Sequence, residues 1–376
     1  MAKSANGMGT LRKRSDGRWE ARYTAPDGRQ KSVYGKTKAE CADKLRRALA
    51  QITTGTYFEP SAMTLGQWIE LWLTEYTDHI KGTTRDSYRS YCKTHILPQL
   101  GGVKLSKLSA LHIQTAYNAL QRRGLAASTL HSSLLVLSAA LSAACRFGMI
   151  PVNPCQGVTL RKKEQREMVI IDRQDIPAFL AAAATVRHGD AFVFLFQTGI
   201  RAGELRGLRW ADIDFKAHTM TISRQISLVG KEHVIDTPKS GKPRTIALMP
   251  ETVELLKRHR AEQLEAQVRA KRWSEAPIDD DLVFRKPDGT HYSTSLLDSA
   301  IPKLALAMNL PGLRVHDLRH SYAVAALRSG IDAKTVQNNL GHASAKMTLD
   351  IYAKYTDDMG RQAAKKMSAY WRRNAN

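Results

Sequence analysis

The apolar run Ala191 to Phe196 leads into Gln197-Thr198-Gly199-Ile200-Arg201-Ala202-Gly203-Glu204, which puts Arg201 near a helix start with Glu204 one turn on. A guanidinium at that place can meet an anion; for the segment taken alone, a surface Arg201–Glu204 pair is the other reading. Farther on, Val315-His316-Asp317-Leu318-Arg319-His320 sets His316 and Arg319 on one helical face. With 12 histidines in 376 residues, about one His-x-x-Arg arises by chance, so this spacing gains weight only from its company. That company is Leu340-Gly341-His342 and Tyr352, the tyrosine following the histidine by ten residues. Between the two arginines lies Pro238-Lys239-Ser240-Gly241-Lys242-Pro243, a turn-rich tip whose lysines are well placed to enter a groove. Planar cationic forks, imidazoles, an amine and a phenol are together groups that can hold an anion, move protons and supply a nucleophile.

In this order, Thr198-Gly199-Ile200-Arg201, Lys239, His316-Asp317-Leu318-Arg319-His320, Leu340-Gly341-His342 and Tyr352 resemble the tyrosine recombinases, specifically the phage-integrase group. An ordered set over about 150 residues is far more specific than any member of it. The resemblance implies a site-specific DNA recombinase that cleaves and rejoins strands through a 3′-phosphotyrosine and a Holliday junction, integrating and excising a mobile element. It implies Tyr352 as nucleophile, Arg201 and Arg319 on the non-bridging oxygens and His342 as a further donor. Lys239 is then the acid for the leaving 5′-oxygen, His316 assists proton traffic at the tyrosine, and Glu204 orients Arg201. Lys242 on the same tip is the alternative acid and Tyr355 the alternative nucleophile. Lys354 departs from the family, many of whose members carry a histidine two residues after the tyrosine.

A phosphotyrosyl ester keeps the bond energy, so no ATP or redox cofactor is expected, and no metal either, because no carboxylates at ligand spacing lie beside the set. The implied partners are double-stranded DNA at core and arm attachment sites, three further copies of the chain in a homotetramer, an excisionase and a host DNA-bending protein. A type IB topoisomerase-like enzyme and a non-cleaving architectural DNA-binding protein are the competing readings.

The elements that must position these groups read as several units, because 376 residues exceed the usual domain size. Formal charge is +22 overall, with +7 in residues 1–60, +5 in 61–155 and +10 in the remainder. Since every segment is basic, a neutral enzyme with one basic tail is excluded and an extended nucleic-acid track is favoured. Cys41, Cys92, Cys145 and Cys155 form no CxxC pair, which argues against a zinc ribbon or a disulfide framework and for a reducing cytoplasm. Met-Ala-Lys-Ser-Ala-Asn-Gly lacks the apolar core of a secretory signal.

The expected fold is multidomain and mainly α with small β-sheets. Residues 1–60 read as a three-stranded sheet plus one helix, with strands Gly9 to Arg14, Arg18 to Thr24 and Gln30 to Tyr34 and a helix from Thr37 to Ile52. Arg12, Arg14, Arg18, Arg22 and Lys31 sit at strand spacing and could lie along a DNA groove, or form a solvated face. By resemblance this is an arm-type DNA-binding module. Residues 61–155 read as a helical core-binding block with helices Leu65 to Tyr76, Thr83 to His95, Ser109 to Arg123 and Ala127 to Phe147. In the last of these, Leu130, Leu134, Leu137, Leu141 and Ala144 make one apolar face, the mark of a packed helix and not of a membrane span. A charged linker, 156–168, leads to an α+β catalytic domain, 169–376, with expected strands Thr219 to Ser223, His233 to Asp236 and Arg244 to Leu248, the last two forming a hairpin. Ala364, Met367 and Trp371 in the tail keep helical spacing and could dock on a neighbouring subunit or on their own domain.

Overall fold

A computed structural model describes residues 10–26, 28–53, 62–164, 166–239, 241–341, 367–368 and 371–372. It divides into two compact units, Met1–Gln165 and Arg166–Asn376. The first begins with an antiparallel meander of β1 (Thr10–Lys13), β2 (Trp19–Thr24) and β3 (Gln30–Gly35). Alternation along β2 sends Trp19, Ala21 and Tyr23 towards α1 (Lys38–Thr53), where Ala21, Cys41 and Leu45 form a small core. The Thr37 hydroxyl accepts from the Glu40 amide at 3.2 Å and the Glu40 carboxylate from the Lys36 amide at 2.8 Å, which caps α1.

The five basic residues at strand spacing do not all share a face. Lys31 pairs in register with Tyr23, on the α1 side, whereas Arg12 and Arg22 lie on the opposite face with Glu20 and Ser32. Arg14 stacks over the Tyr34 ring at 5.6 Å and Arg18 sits in the turn, its guanidinium on Asp16 at 2.8 Å. A two-residue periodicity is read strand by strand, and only the pairing register shows which face each strand turns outward. Glu20 anchors the open face: the Arg12 guanidinium, then Ser32 and Arg22, hold its carboxyl at about 2 against the lift from burial.

The rest of the first unit is a helical bundle with its own core. Its members are α2 (Leu65–Glu75), α3 (Gly82–Tyr91), α4 (Leu97–Leu100), α5 (Ala110–Arg122) and α6 (Ala127–Arg146). A π-helical turn, Cys92–Ile96, joins α3 to α4, so the helix expected to stop at His95 runs on to Leu100. Thr64 with Gln67, and Ser109 with His112, form capping boxes at the starts of α2 and α5. Helix α6 is long and apolar enough to cross a bilayer, yet Leu130, Leu137, Leu141 and Ala144 are buried in the bundle, and Trp68 Nε1 donates to its Ala140 carbonyl at 2.9 Å. The segment read as a linker starts tied down: Gln114 holds the Thr159 amide at 2.9 Å and its carbonyl at 3.0 Å, and His131 lies 2.8 Å from the Arg161 carbonyl.

In the second unit, α7 (Ile176–Thr185) and α8 (Gly189–Thr198) precede α9 (Ala202–Gly207). Then come β4 (Ile213–Asp214), β5 (Thr219–Ile222), β6 (Gln225–Val229), β7 (Glu232–Asp236) and β8 (Arg244–Ala247). Helices α10 (Pro250–Arg269), α11 (Leu296–Ala307), α12 (Val315–Arg328) and α13 (Ala333–Leu340) follow. Nearly every side of α8 is buried, including Phe192, Phe194 and Leu195, so it forms the axis of this core.

Strand pairing differs from the sequence expectation. β7 pairs with β6, an unforeseen strand, around the Gly230-Lys231 turn, while β8 joins β5 in the order β4-β5-β8. The tip from Pro238 to Pro243 is therefore a crossover between two sheets, not the end of a hairpin. Gln225–Val229 has the alternation of a strand, but the stronger Gly and Pro punctuation after Asp236 drew the pairing to the wrong place.

Candidate active site

The α8–α9 turn, the start of β8 and helix α12 bring three distant arginines together at the end of α13. Helix α8 stops at Gly199, whose φ of 65° lies in the left-handed region, and the chain turns so that Arg201 caps α9. A Cβ at Gly199 would sit 2.3 Å from Tyr322 Cδ1 and 2.8 Å from Leu340 Cδ2, so this turn needs glycine on two counts. Gly199→Ala is expected to destabilise the fold by about 2–4 kcal/mol, read as a lower urea midpoint at an unchanged slope; a midpoint equal to wild type would refute the packing described.

Glu204 is the hub. Its side chain is fully enclosed, and its two oxygens accept from the Arg201 amide at 2.9 Å, Arg201 Nη1 at 3.0 Å, Arg244 Nη1 at 2.9 Å and Arg244 Nη2 at 2.7 Å. Burial alone lifts this carboxyl, but the hydrogen bonds and charge of Arg244, then those of Arg201, more than reverse the lift and leave it below the ordinary glutamate value. Glu204 is thus an anion at neutral pH. Three guanidiniums and one carboxylate leave the cluster with a surplus of positive charge.

The same guanidiniums grip the carboxyl end of α13. Arg244 Nε donates to the Asn339 carbonyl at 2.8 Å, Arg319 Nη2 to Leu340 at 2.7 Å and Arg201 Nη2 to Gly341 at 3.0 Å. These are carbonyls that a helix end leaves without partners, at the negative pole of its dipole. Gly341, with φ of 63°, closes the helix immediately before His342. Arg319 also donates to the Gly199 carbonyl at 2.8 Å and is only 3% exposed. Burial, then repulsion from Arg201, pushes its guanidinium down to about 9, so it remains cationic at neutral pH but is short of counter-charge. Among the described residues, Arg201 and Arg319 each direct two of their five N–H donors to protein oxygens.

His316, at the start of α12, keeps surface open to solvent, and its ring meets His320 edge-on at 4.6 Å between centroids. Burial of the ring, then the charges of His320 and Arg319, push its imidazole down to about 4, so at neutral pH the ring is uncharged. Asp317, wholly buried, turns away to cap α12 through the Arg314 amide at 3.0 Å. Lys239 is exposed on the crossover that ends at Arg244. His342, Tyr352, Lys354 and Tyr355 lie outside the described residues, as does the tail apart from four positions, where Met367 and Trp371 are exposed.

Arg201, Glu204 and Arg319, singled out in the sequence, are therefore brought into one cluster, and Arg244 was missed. Its signal was weak: it follows Lys242-Pro243 at the head of a strand, in no helical register with its partners.

The sequence model of the phage integrase family matches residues 170–359, and that of the phage integrase N-terminal SAM-like domain matches 64–121. A XerC-like tyrosine recombinase of Caldanaerobacter subterraneus subsp. tengcongensis is 28% identical over 86% of this chain and 87% of its own length. Among solved structures, the Tn1549 transposon integrase in complex with transposon right-end DNA superposes with a TM-score of 0.70 at 21% identity, covering 81% of this chain and all of that one. A lambda integrase tetramer bound to a Holliday junction gives 0.58 at 19% identity, covering 93% of this chain and 96% of that one.

Proposed function

This chain belongs to the phage integrase family, and from that premise we propose how its own residues break and rejoin DNA. It is a tyrosine-type site-specific recombinase. The observation that carries the proposal is the placing of the Arg201 and Arg319 guanidiniums on successive carbonyls at the end of α13. A phosphodiester between them exchanges a strained pair of like charges for a neutralised one, and the gain grows as charge accumulates on the equatorial oxygens. The Tyr352 phenolic oxygen then attacks phosphorus. The P–O5′ bond breaks, a 3′-phosphotyrosyl ester forms, the phenolic proton passes to the neutral His316, and the departing 5′-oxygen takes a proton from Lys239. His342 donates a hydrogen bond to the same phosphoryl group. Religation reverses each transfer with a 5′-hydroxyl as the nucleophile, so no external energy source is needed.

In this reading residues 1–60 bind arm-type sites, 61–155 grip the core site, 156–168 link them to the catalytic domain 169–376, and four chains hold two duplexes at a Holliday junction. Arg12, Arg14, Arg22 and Lys242 contact phosphates, with an excisionase and a host bending protein setting direction. The enzyme works in the bacterial cytoplasm, at the nucleoid. Two basic DNA-binding regions ahead of the catalytic one favour joining two sites over relaxing one duplex.

The test is a nicked core-site duplex that loses its 5′ fragment after cleavage, so that the adduct accumulates. Protease mapping is expected to find the nucleotide on Tyr352, and the yield is expected to be the same in EDTA as in magnesium. An adduct on Tyr355, or cleavage lost on chelation and restored by magnesium, would overturn the assignment.

A further inference from the structure

Arg244 opens β8, five residues after Lys239, with its side chain only 11% exposed. Its fork spans both Glu204 oxygens, and Nε reaches the Asn339 carbonyl. The flat of its guanidinium fills the space a Cβ would take at Gly341, with Nη1, Cζ and Nε at 3.0, 3.1 and 3.2 Å from that point. Among the described residues, Glu204 and the Gly341 carbonyl are the two groups that hold the Arg201 guanidinium. Both anchors of Arg201 therefore lean on Arg244.

We propose that Arg244 is a positioning residue for strand cleavage: it fixes Glu204 and the last turn of α13, and through them the aim of Arg201, without itself touching the phosphate. The proposal rests on the reading of Arg201 as a phosphate clamp. Without Arg244, the enclosed Glu204 carboxylate has Arg201 as its remaining cation and draws that guanidinium inward to serve both oxygens, away from a ligand. The turn leading to His342 loses its packing surface in the same step. Lysine cannot substitute, because one ammonium cannot bridge two carboxylate oxygens and a carbonyl in a plane.

Single-turnover cleavage of the nicked core-site duplex is measured beside equilibrium DNA binding for wild type, Arg244→Ala, Arg244→Lys, Glu204→Gln and the double variant Glu204→Gln/Arg244→Lys. Adduct formation by wild type tests the recombinase reading by itself, so its failure is distinct from failure of the Arg244 proposal. Both Arg244 variants are expected to cleave about 10- to 100-fold more slowly at unchanged DNA affinity, the scale of lost outer-shell support. The double variant is expected to be no slower than the slower single variant, since both lesions release the same group. If Arg244→Ala fails to fold, Arg244→Lys decides. Cleavage at the wild-type rate, a loss matched by weaker DNA binding, or multiplying single effects would each overturn the proposal. So would full recovery on a 5′-bridging phosphorothiolate, whose sulfur leaves without a proton, because that places the defect at Lys239 instead of Arg201.

Discussion

Arg319→Ala is expected to slow single-turnover cleavage by about 10²- to 10³-fold, or about 3–4 kcal/mol, while DNA binding falls far less. Arg319 is nearly sealed from water, held by the Gly199 and Leu340 carbonyls and repelled by Arg201. Carbonyl dipoles orient a guanidinium but do not cancel its charge, so the cation stands ready for an anion and pays no reorganisation when charge develops on the phosphoryl oxygens. The duplex, by contrast, is bound by many phosphate contacts spread over the basic surfaces, and one lost clamp is a small part of that sum. Arg319→Lys keeps the charge and loses the fork, and is expected to be impaired more than tenfold. A lysine variant within twofold of wild type would show that charge alone suffices and that the geometry assigned to Arg319 is wrong.

Glu204→Gln is expected to cost about 3–5 kcal/mol of stability at pH 7, because it leaves the guanidiniums of Arg201 and Arg244 packed together without their counter-ion. The folded carboxyl lies below its unfolded value of 4.5, so the ionised form is the one favoured by folding. Its contribution is then fully present above that value and is lost as pH falls through the lower, folded one. Urea unfolding of wild type and Glu204→Gln from about pH 7 to pH 3 should show a constant difference down to about pH 5, closing below it. A difference that widens as the solution is acidified, or none at neutral pH, would mean that Glu204 is not the buried anion of this cluster.

Much of the helical architecture was legible because burial writes a period into the chain. The face Leu130, Leu137, Leu141 and Ala144 marked α6 as a bundle helix, and α2 and α5 were legible as helices, each started in the structure by a capping box of Thr64 or Ser109. Strand partners were harder. A β-ladder is a contact between segments whose separation in sequence carries no local signal, so β8 could be drawn with β7 although it pairs with β5. Which face each of Arg12 to Lys31 occupies was hidden for the same reason, since only the register turns Lys31 towards α1.

The sequence by itself determined the chemistry available: an ordered set of guanidiniums, imidazoles, lysine and tyrosine, with glycines at 199 and 341 where the backbone must turn left-handed. It also determined the basic character of every segment, which follows from residue types alone. Only the tertiary structure decided that Glu204 is enclosed by two arginines, that Arg319 is an almost sealed cation, and that Arg244 belongs to the group at all. The physical reason is that charge burial and bidentate geometry depend on which chain segments meet. Arg201, Arg244, Arg319 and Gly341 meet at one helix end across as many as 140 residues of intervening chain, and no periodicity spans that distance.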